Sequence, residues 1–149
     1  WSSDVCSSDL RYLIDNSAWA RLTLTEIPER RRREVGLAAA DARLWGSPML
    51  RLEAGYSARS PASYAATMAH LDSLPQAITD ASSFDRAVEL QAQLARVGHH
   101  RVPPTDLLTM ATAERDGLTV LHYDKDFDVI AERTDCTAAC EWLMPRGSV

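Results

Sequence analysis

The sequence predicts an α/β fold with three layers, α/β/α, around a central and mainly parallel sheet. Short apolar runs typical of buried strands stand at 11–15, 118–123 and near residue 140. Helical segments separate these runs, and strands joined through helices form parallel crossovers. The chain of 149 residues, 46% of them hydrophobic, can bury the core of a single domain. We therefore expect one compact domain over 11–149.

The first half of the domain is predicted to be one strand followed by four helices. Ser and Pro at the first positions of a segment favour a helix start, and Gly favours an end. The helices predicted in this way are SAWARL, then IPERRRREVGLAAADARLW up to Gly46, then about 48–58 after Ser47, and 61–72 after Ser60.

The second half is predicted to alternate between strands and helices. A short strand is expected at 74–79, and Ser82 and Ser83 are expected to cap the periodic helix FDRAVELQAQLARVG. The apolar pattern of this helix consists of Val88, Leu90, Leu94 and Val97, which recur near helical spacing. A helix that begins at Pro103-Pro104 is expected to end at Gly117, which suits the left-handed conformation of a helix terminator. The remaining elements are the buried strand LTVLHY, the helix FDVIAER and the strand CEWLM.

The negative net charge of the chain does not by itself exclude nucleic acid as a partner. A net charge of −5 opposes binding to nucleic acid if it is spread evenly, but acids gathered in one pocket leave room for basic surface elsewhere. Fifteen of the 16 basic residues are arginine, which makes forked contacts to phosphate and stacks on bases. Genomic base composition explains the same bias, so arginine usage does not decide between the two explanations.

The cysteines and the first ten residues carry little information about the site. Cys6, Cys136 and Cys140 lack both a disulfide framework and the spacing of zinc ligands, so we expect reduced structural thiols, as in a cytoplasmic protein. The opening WSSDVCSSDL contains a near-duplication and lacks the pattern of a signal peptide. We expect residues 1–10 to be an N-terminal remnant, non-native or disordered, outside the domain. No apolar run reaches the roughly 20 residues that cross a bilayer.

Four carboxylates stand at positions where a charge needs an explanation. Asp15 and Asp124 follow apolar strands, and Asp106 opens a helix. Glu53 interrupts what looks like a core-facing stripe that contains Met49 and Tyr56. Each alone has an ordinary structural explanation, as a turn former, a helix cap or an exposed side chain. Together they predict a pocket that only protons or cations can neutralise. An all-oxygen set favours Mg²⁺ or Mn²⁺. No two histidines form the i, i+4 pair of a helical zinc site, which argues against zinc.

These segments together resemble the PIN-domain nucleases, most closely the VapC toxins of bacterial toxin–antitoxin pairs. The likeness covers roughly residues 11 to 145 and rests on LIDNSAW, LRLEAGYSAR and PPTDLLTMATAERDGLTVLHYDKDF. The chain departs from the family at Asn16, where Thr is commoner, and this leaves the acids intact. By position, the resemblance implies catalytic roles for Asp15, Glu53, Asp106 and Asp124, metal binding by Asp15, Asp106 and Asp124, and support from Ser17 and Asp126.

The resemblance implies a cytoplasmic endoribonuclease toxin that uses one or two Mg²⁺ or Mn²⁺ ions. Its implied partners are the RNA substrate, a VapB-type antitoxin and a second copy in a homodimer. His99, His100 and Arg101, in the loop before Asp106, are candidates for contact with RNA phosphate, whereas Arg30–Arg33 spread around a helix and are expected to be solvated. The alternatives are a catalytically silent module that binds RNA or protein, and a PIN nuclease that is not a toxin.

Overall fold

The structure is a computed structural model that describes residues 9–148. Within this range it contains four strands and seven helices. The strands are β1 (Tyr12–Ile14), β2 (Leu44–Trp45), β3 (Thr119–His122) and β4 (Cys140–Trp142). The helices are α1 (Asn16–Trp19), α2 (Glu29–Ala40), α3 (Pro48–Tyr56), α4 (Pro61–Asp72), α5 (Ala81–Arg96), α6 (Pro104–Asp116) and α7 (Lys125–Arg133).

The four strands form one parallel sheet in the order β2-β1-β3-β4. The predicted α/β fold with a parallel sheet is therefore confirmed. β1 and β3 are neighbours at the centre, with Leu13 opposite Val120 and Ile14 opposite Leu121. Because the strands are parallel, their carboxyl ends meet at one edge, which is where ligands bind in such sheets.

Two apolar cores, one on each face of the sheet, produce the three layers. Leu13 and Val120 point into a core shared with α5, α6 and α7. Ile14 and Leu121 point into the other core, which α2, α3 and α4 cover. This alternation is the period of two that a strand imposes on its side chains. Since both faces of the central strands are covered, β1 and β3 read as continuous apolar runs.

Local chemistry explains where the helices begin and end. The Ser47 and Ser60 side chains accept hydrogen bonds from the first turns of α3 and α4, as predicted. The cap of α5 is Asp80 and not the predicted Ser82-Ser83 pair, although Ser83 closes a capping box with it. Gly117 ends α6 in the left-handed conformation, with φ of 65°, as predicted.

Three other expectations about the elements were wrong. The helix expected to run to Trp45 stops at Ala40, and the chain then forms the edge strand β2. The strand expected at 74–79 is reduced to one parallel bridge between Gly46 and Gln76. Val88 and Val97 of the α5 region, expected to follow the helical apolar pattern, are exposed.

Two findings concern the ends of the chain and its relation to membranes. Most of the predicted N-terminal remnant, including Cys6, lies outside the described residues. Among the described helices, none combines the length and apolarity needed to cross a membrane.

Candidate active site

The acids singled out in the sequence lie at the starts of helices, except for Glu53. Asp15 follows β1 and caps α1, and Asp124 follows β3 and caps α7. Asp106 lies in the first turn of α6. Glu53 lies within α3 and is half-buried, but Tyr56, expected to share its buried stripe, is 92% exposed. Both β1 and β3 thus deliver a carboxylate to the same edge of the sheet.

Ser17 holds Asp15 and ties together the ends of the two central strands. Asp15 Oδ2 accepts hydrogen bonds from the backbone N–H of Ser17 at 2.9 Å and from its hydroxyl at 2.6 Å. The same Ser17 Oγ accepts the backbone N–H of Tyr123 at 2.9 Å. The resemblance implied a supporting role for Ser17 toward Asp15, but the link to Tyr123 has no sequence signature because it crosses 106 positions.

Asp106, Asp124 and Asp126 each offer one oxygen to a group whose atoms all lie within 4.8 Å of one another. Asp124 Oδ1 accepts the backbone N–H of Asp126 at 2.9 Å, which fixes the start of α7 beside Asp106. The resemblance implied only a supporting role for Asp126, whereas the structure groups it with two of the predicted metal ligands.

Asp106 is where the negative charge of the pocket converges. Burial, first, and the charges of Asp15, Asp124, Asp126 and Glu53, in that order, together raise the pKa of its carboxyl to about 8. We call these five residues the acid cluster. A carboxyl with such a pKa holds a proton near neutral pH unless a cation replaces it.

The other members of the acid cluster show the same shortage of positive charge. Burial raises the pKa of Asp15 despite the hydrogen bonds from Ser17, and Asp124 adds to the rise. Burial and the charge of Asp15 raise the pKa of Glu53. Asp106 Oδ2 is buried without a hydrogen-bond partner among the described residues. An orphaned oxygen among acids with raised pKa values fits a divalent cation with a preference for oxygen ligands.

His122, Asp128 and Cys140 form a second group of potential ligands, but its chemistry does not favour a metal. Their ligand atoms lie within 4.8 Å of one another, and His122 is fully buried. Nδ1 of His122 accepts the backbone N–H of Asp124 at 3.1 Å, so its proton lies on Nε2. Burial lowers the pKa of this histidine, which favours the neutral ring. Neither nitrogen therefore offers a lone pair to an ion, and His122 supports the backbone of Asp124 instead.

The basic residues predicted to contact RNA are less well defined by the structure. His99, His100 and Arg101 are exposed in the loop between α5 and α6, and their contact with RNA stays a prediction.

Arg31, expected to be solvated, is instead half-buried and binds Glu141 and two carbonyls of the last strand region. A cleft of about 940 Å³ opens between α2 and that region, and no member of the acid cluster lines it.

The sequence model of the PIN domain family matches residues 12–133 of this chain, a span that contains the whole acid cluster. The chain belongs to the PIN-domain family. Ribonuclease VapC18 of Mycobacterium tuberculosis is 37% identical over 142 residues, which cover 93% of this chain and 98% of that relative. This likeness assigns the PIN domain to the VapC type, as the sequence predicted.

Solved structures agree on the fold. A chain in the crystal structure of DNA-bound VapBC from Salmonella typhimurium matches with a TM-score of 0.71 and 21% identity, covering 91% of this chain and 99% of that one. A chain of VapBC-5 from Mycobacterium tuberculosis, a member of the VapBC family of toxin–antitoxin systems, matches with a TM-score of 0.56 and 23% identity, covering 89% and 96%. At these identities the likeness shows the fold alone.

Proposed function

We propose that this PIN domain is a metal-dependent endoribonuclease, the toxin of a toxin–antitoxin pair, that cleaves RNA phosphodiester bonds at the acid cluster. One observation carries the proposal: oxygens of Asp106, Asp124 and Asp126 lie within 4.8 Å of one another, in a pocket where burial and the charges of four neighbouring acids raise the pKa of Asp106 to about 8. Such a concentration of negative charge is unfavourable for an ordinary core and suits a site that holds Mg²⁺ or Mn²⁺. The relatives named as VapC ribonucleases support RNA as the substrate.

The residues that would hold one or two ions are Asp106, Asp124 and Asp126, with Asp15 beside them. The bound ion would supply positive charge that offsets charge building on the attacked phosphate and would make the attacking water more acidic. Ser17 holds Asp15 in place through two hydrogen bonds, and His122 holds the backbone at Asp124. Asp106 or Asp124 would also orient the attacking water. Glu53 stays a predicted catalytic residue, half-buried on α3 and with a raised pKa.

The proposal includes the partners that the resemblance implied. A VapB-type antitoxin would hold the enzyme inactive, and chains that share this fold occur in VapBC structures. The homodimer and the cytoplasmic location follow from the same family resemblance and stay predictions. A catalytically silent module is the competing function, but silence is expected to leave gaps in the acid cluster, and each of its five positions carries an acid.

The test compares wild-type protein with Asp15→Asn in cleavage of a labelled RNA pool with Mg²⁺, Mn²⁺ or a chelator. We expect cleavage only with a divalent ion and a loss of at least about 100-fold in the variant, since even the loss of a group that only hydrogen-bonds to a metal ligand costs about 10–100-fold. Asn caps a helix as well as Asp does, so the fold should persist.

Asp85→Asn is the matched control, because Asp85 is an exposed acid on α5 away from the acid cluster. It should cleave RNA at the wild-type rate. Undiminished cleavage by Asp15→Asn, or full activity in the chelator, would contradict the proposed mechanism.

A further inference from the structure

A second cleft, of about 330 Å³, opens beside the acid cluster between α1, α3 and α4. Two of its lining residues, Asn16 and Ala54, are the chain neighbours of Asp15 and Glu53. Ligand pockets generally span roughly 300–1,000 Å³, so this cleft, at the lower end of the range, suits one small flat group. We call it the side cleft. Its other polar or aromatic lining residues are Trp19, Ser57, Arg59, Ser63 and Thr67.

The lining of the side cleft combines an aromatic ring with unused polar groups. Trp19 is half-buried, packs against the core beneath it and presents a surface to the cleft. The Asn16 side-chain amide and the Thr67 hydroxyl have no hydrogen-bond partner in residues 9–148. The Ser63 hydroxyl, in contrast, is already engaged by the capping box of α4. An indole with a few free donors and acceptors nearby is the pattern that binds a nucleobase.

The charge of the side cleft is opposite to that of the acid cluster. Arg59 is its one charged lining residue, and no carboxylate lines it. The Arg59 side chain forms no ion pair with any described residue, whereas Arg51 on the preceding helix is paired with Asp72. A free guanidinium at the mouth of a cleft can bind phosphate without breaking an internal contact. RNA needs such a contact, because five carboxylates repel its backbone.

From these observations we infer that the side cleft binds one unpaired nucleotide of the RNA next to the bond that is cut. Trp19 stacks on the base, the Asn16 amide reads its edge, and Arg59 binds the adjoining phosphate. The inference rests on the proposed ribonuclease activity and adds the source of its sequence preference.

The first experiment measures binding of a fluorescently labelled, single-stranded random oligoribonucleotide by anisotropy, with divalent ions chelated so that nothing is cut. We expect Trp19→Ala to weaken binding on the order of tenfold, as loss of one stacked base does, and Trp19→Phe to bind nearly as wild type. Arg59→Gln should also weaken binding. The matched controls are Tyr56→Ala, an exposed aromatic on α3, and Arg33→Gln, an exposed arginine on α2. Both controls should bind as wild type.

The second experiment sequences the cut sites that each variant leaves in a random RNA pool with Mg²⁺. Wild type should prefer certain bases at one position beside the cut, and Asn16→Ala and Trp19→Ala should lose that preference. A merely structural role would slow cutting without changing its pattern. Thermal melts show whether Trp19→Ala is folded, and Asn16→Ala carries the test if it is not.

The outcomes separate the two proposals. If wild type neither binds nor cuts RNA, the ribonuclease proposal fails, and the side cleft inference fails with it. If wild type cuts RNA but folded Trp19 and Asn16 variants keep wild-type affinity and cut sites, only the side cleft inference is overturned.

Discussion

At the scale of single residues, Asp106 shows how a buried concentration of negative charge opposes stability. Burial and four neighbouring charges raise the pKa of its carboxyl from 3.8 to about 8. The folded protein therefore binds this proton more tightly than the unfolded chain does. Between about pH 4 and pH 8 the unfolded chain releases the proton and the folded protein retains it. The contribution of Asp106 to stability must then fall as pH rises through this window.

We predict that Asp106→Asn stabilises the metal-free protein at pH 8, by about 1 kcal/mol or more, since each pKa unit corresponds to about 1.4 kcal/mol. The decline of stability with rising pH should also become shallower. Urea unfolding with a chelator at several pH values measures both effects, with Asp85→Asn as the control of unchanged slope. A variant no more stable than wild type at pH 8 would contradict the convergence of charge on Asp106.

At the scale of elements, the ends of helices depend on single backbone conformations. Gly117 ends α6 with φ of 65°, and the N–H of Leu118 then reaches the carbonyl of Ala113 at 2.9 Å. A methyl group at Gly117 would come no closer than 3.7 Å to Arg11, so its cost would lie in the backbone and not in a clash. Gly36 in the middle of α2 has nothing within 4 Å of the same methyl position.

These two glycines should therefore respond oppositely to alanine. Gly117→Ala is expected to destabilise the protein by about 1–2 kcal/mol, the cost of the left-handed conformation for a residue with Cβ. Gly36→Ala is expected to stabilise it by roughly 0.5–1 kcal/mol, because Ala is the better residue in a helix interior. Urea unfolding of the pair gives both values, and changes of the same sign would refute the argument.

The elements also show how far local signals carry. Prolines, capping serines and Gly117 act within a few residues, and the helices they mark were predicted. The strand β2 was missed because it has two residues inside DARLW and owes its pairing to β1, about 30 positions away. The segment at 74–79 looked like a strand, but it meets the sheet at one bridge only.

The candidate site follows the same rule. The acids were recognisable as a set, because Asp15 and Asp124 follow strands, Glu53 interrupts an apolar stripe and Asp106 opens a helix. Two features depend on packing between distant segments: the link from Ser17 to Tyr123 and the side cleft formed by α1, α3 and α4. No spacing in the sequence predicts them. Asp126 joins Asp106 only because α6 and α7 start at the same edge of the sheet.

At the scale of the whole molecule, Arg31 connects one helical layer to the last strand. Its Nε donates to the carbonyl of Leu143 at 2.7 Å, and Nη2 donates to Glu141 at 2.6 Å and to the carbonyl of Trp142 at 3.1 Å. The Arg31 side chain is only 20% exposed. Without it, the three acceptors would stay partly buried and would lose their hydrogen-bond donor.

We predict that Arg31→Met destabilises the protein by about 1–3 kcal/mol, the cost of leaving buried acceptors unsatisfied. Hydrogen exchange of the β4 amides should accelerate in the same variant, because the edge strand loses its tie to α2. Arg33→Met, at an exposed position on the same helix, should leave unfolding and exchange unchanged. Equal behaviour of the two variants would show that the connection contributes nothing.

Asp15 and Asp124 each cap the start of a helix with the same carboxylate that they bring to the acid cluster. Replacement by Ala would remove both the charge and the cap, whereas replacement by Asn would remove the charge and keep the cap. If cells that express the active protein are selected for survival, some survivors will still accumulate the full-length protein. Among these survivors, Asn should be enriched at positions 15 and 124. Ala there should appear mainly among clones whose product is degraded.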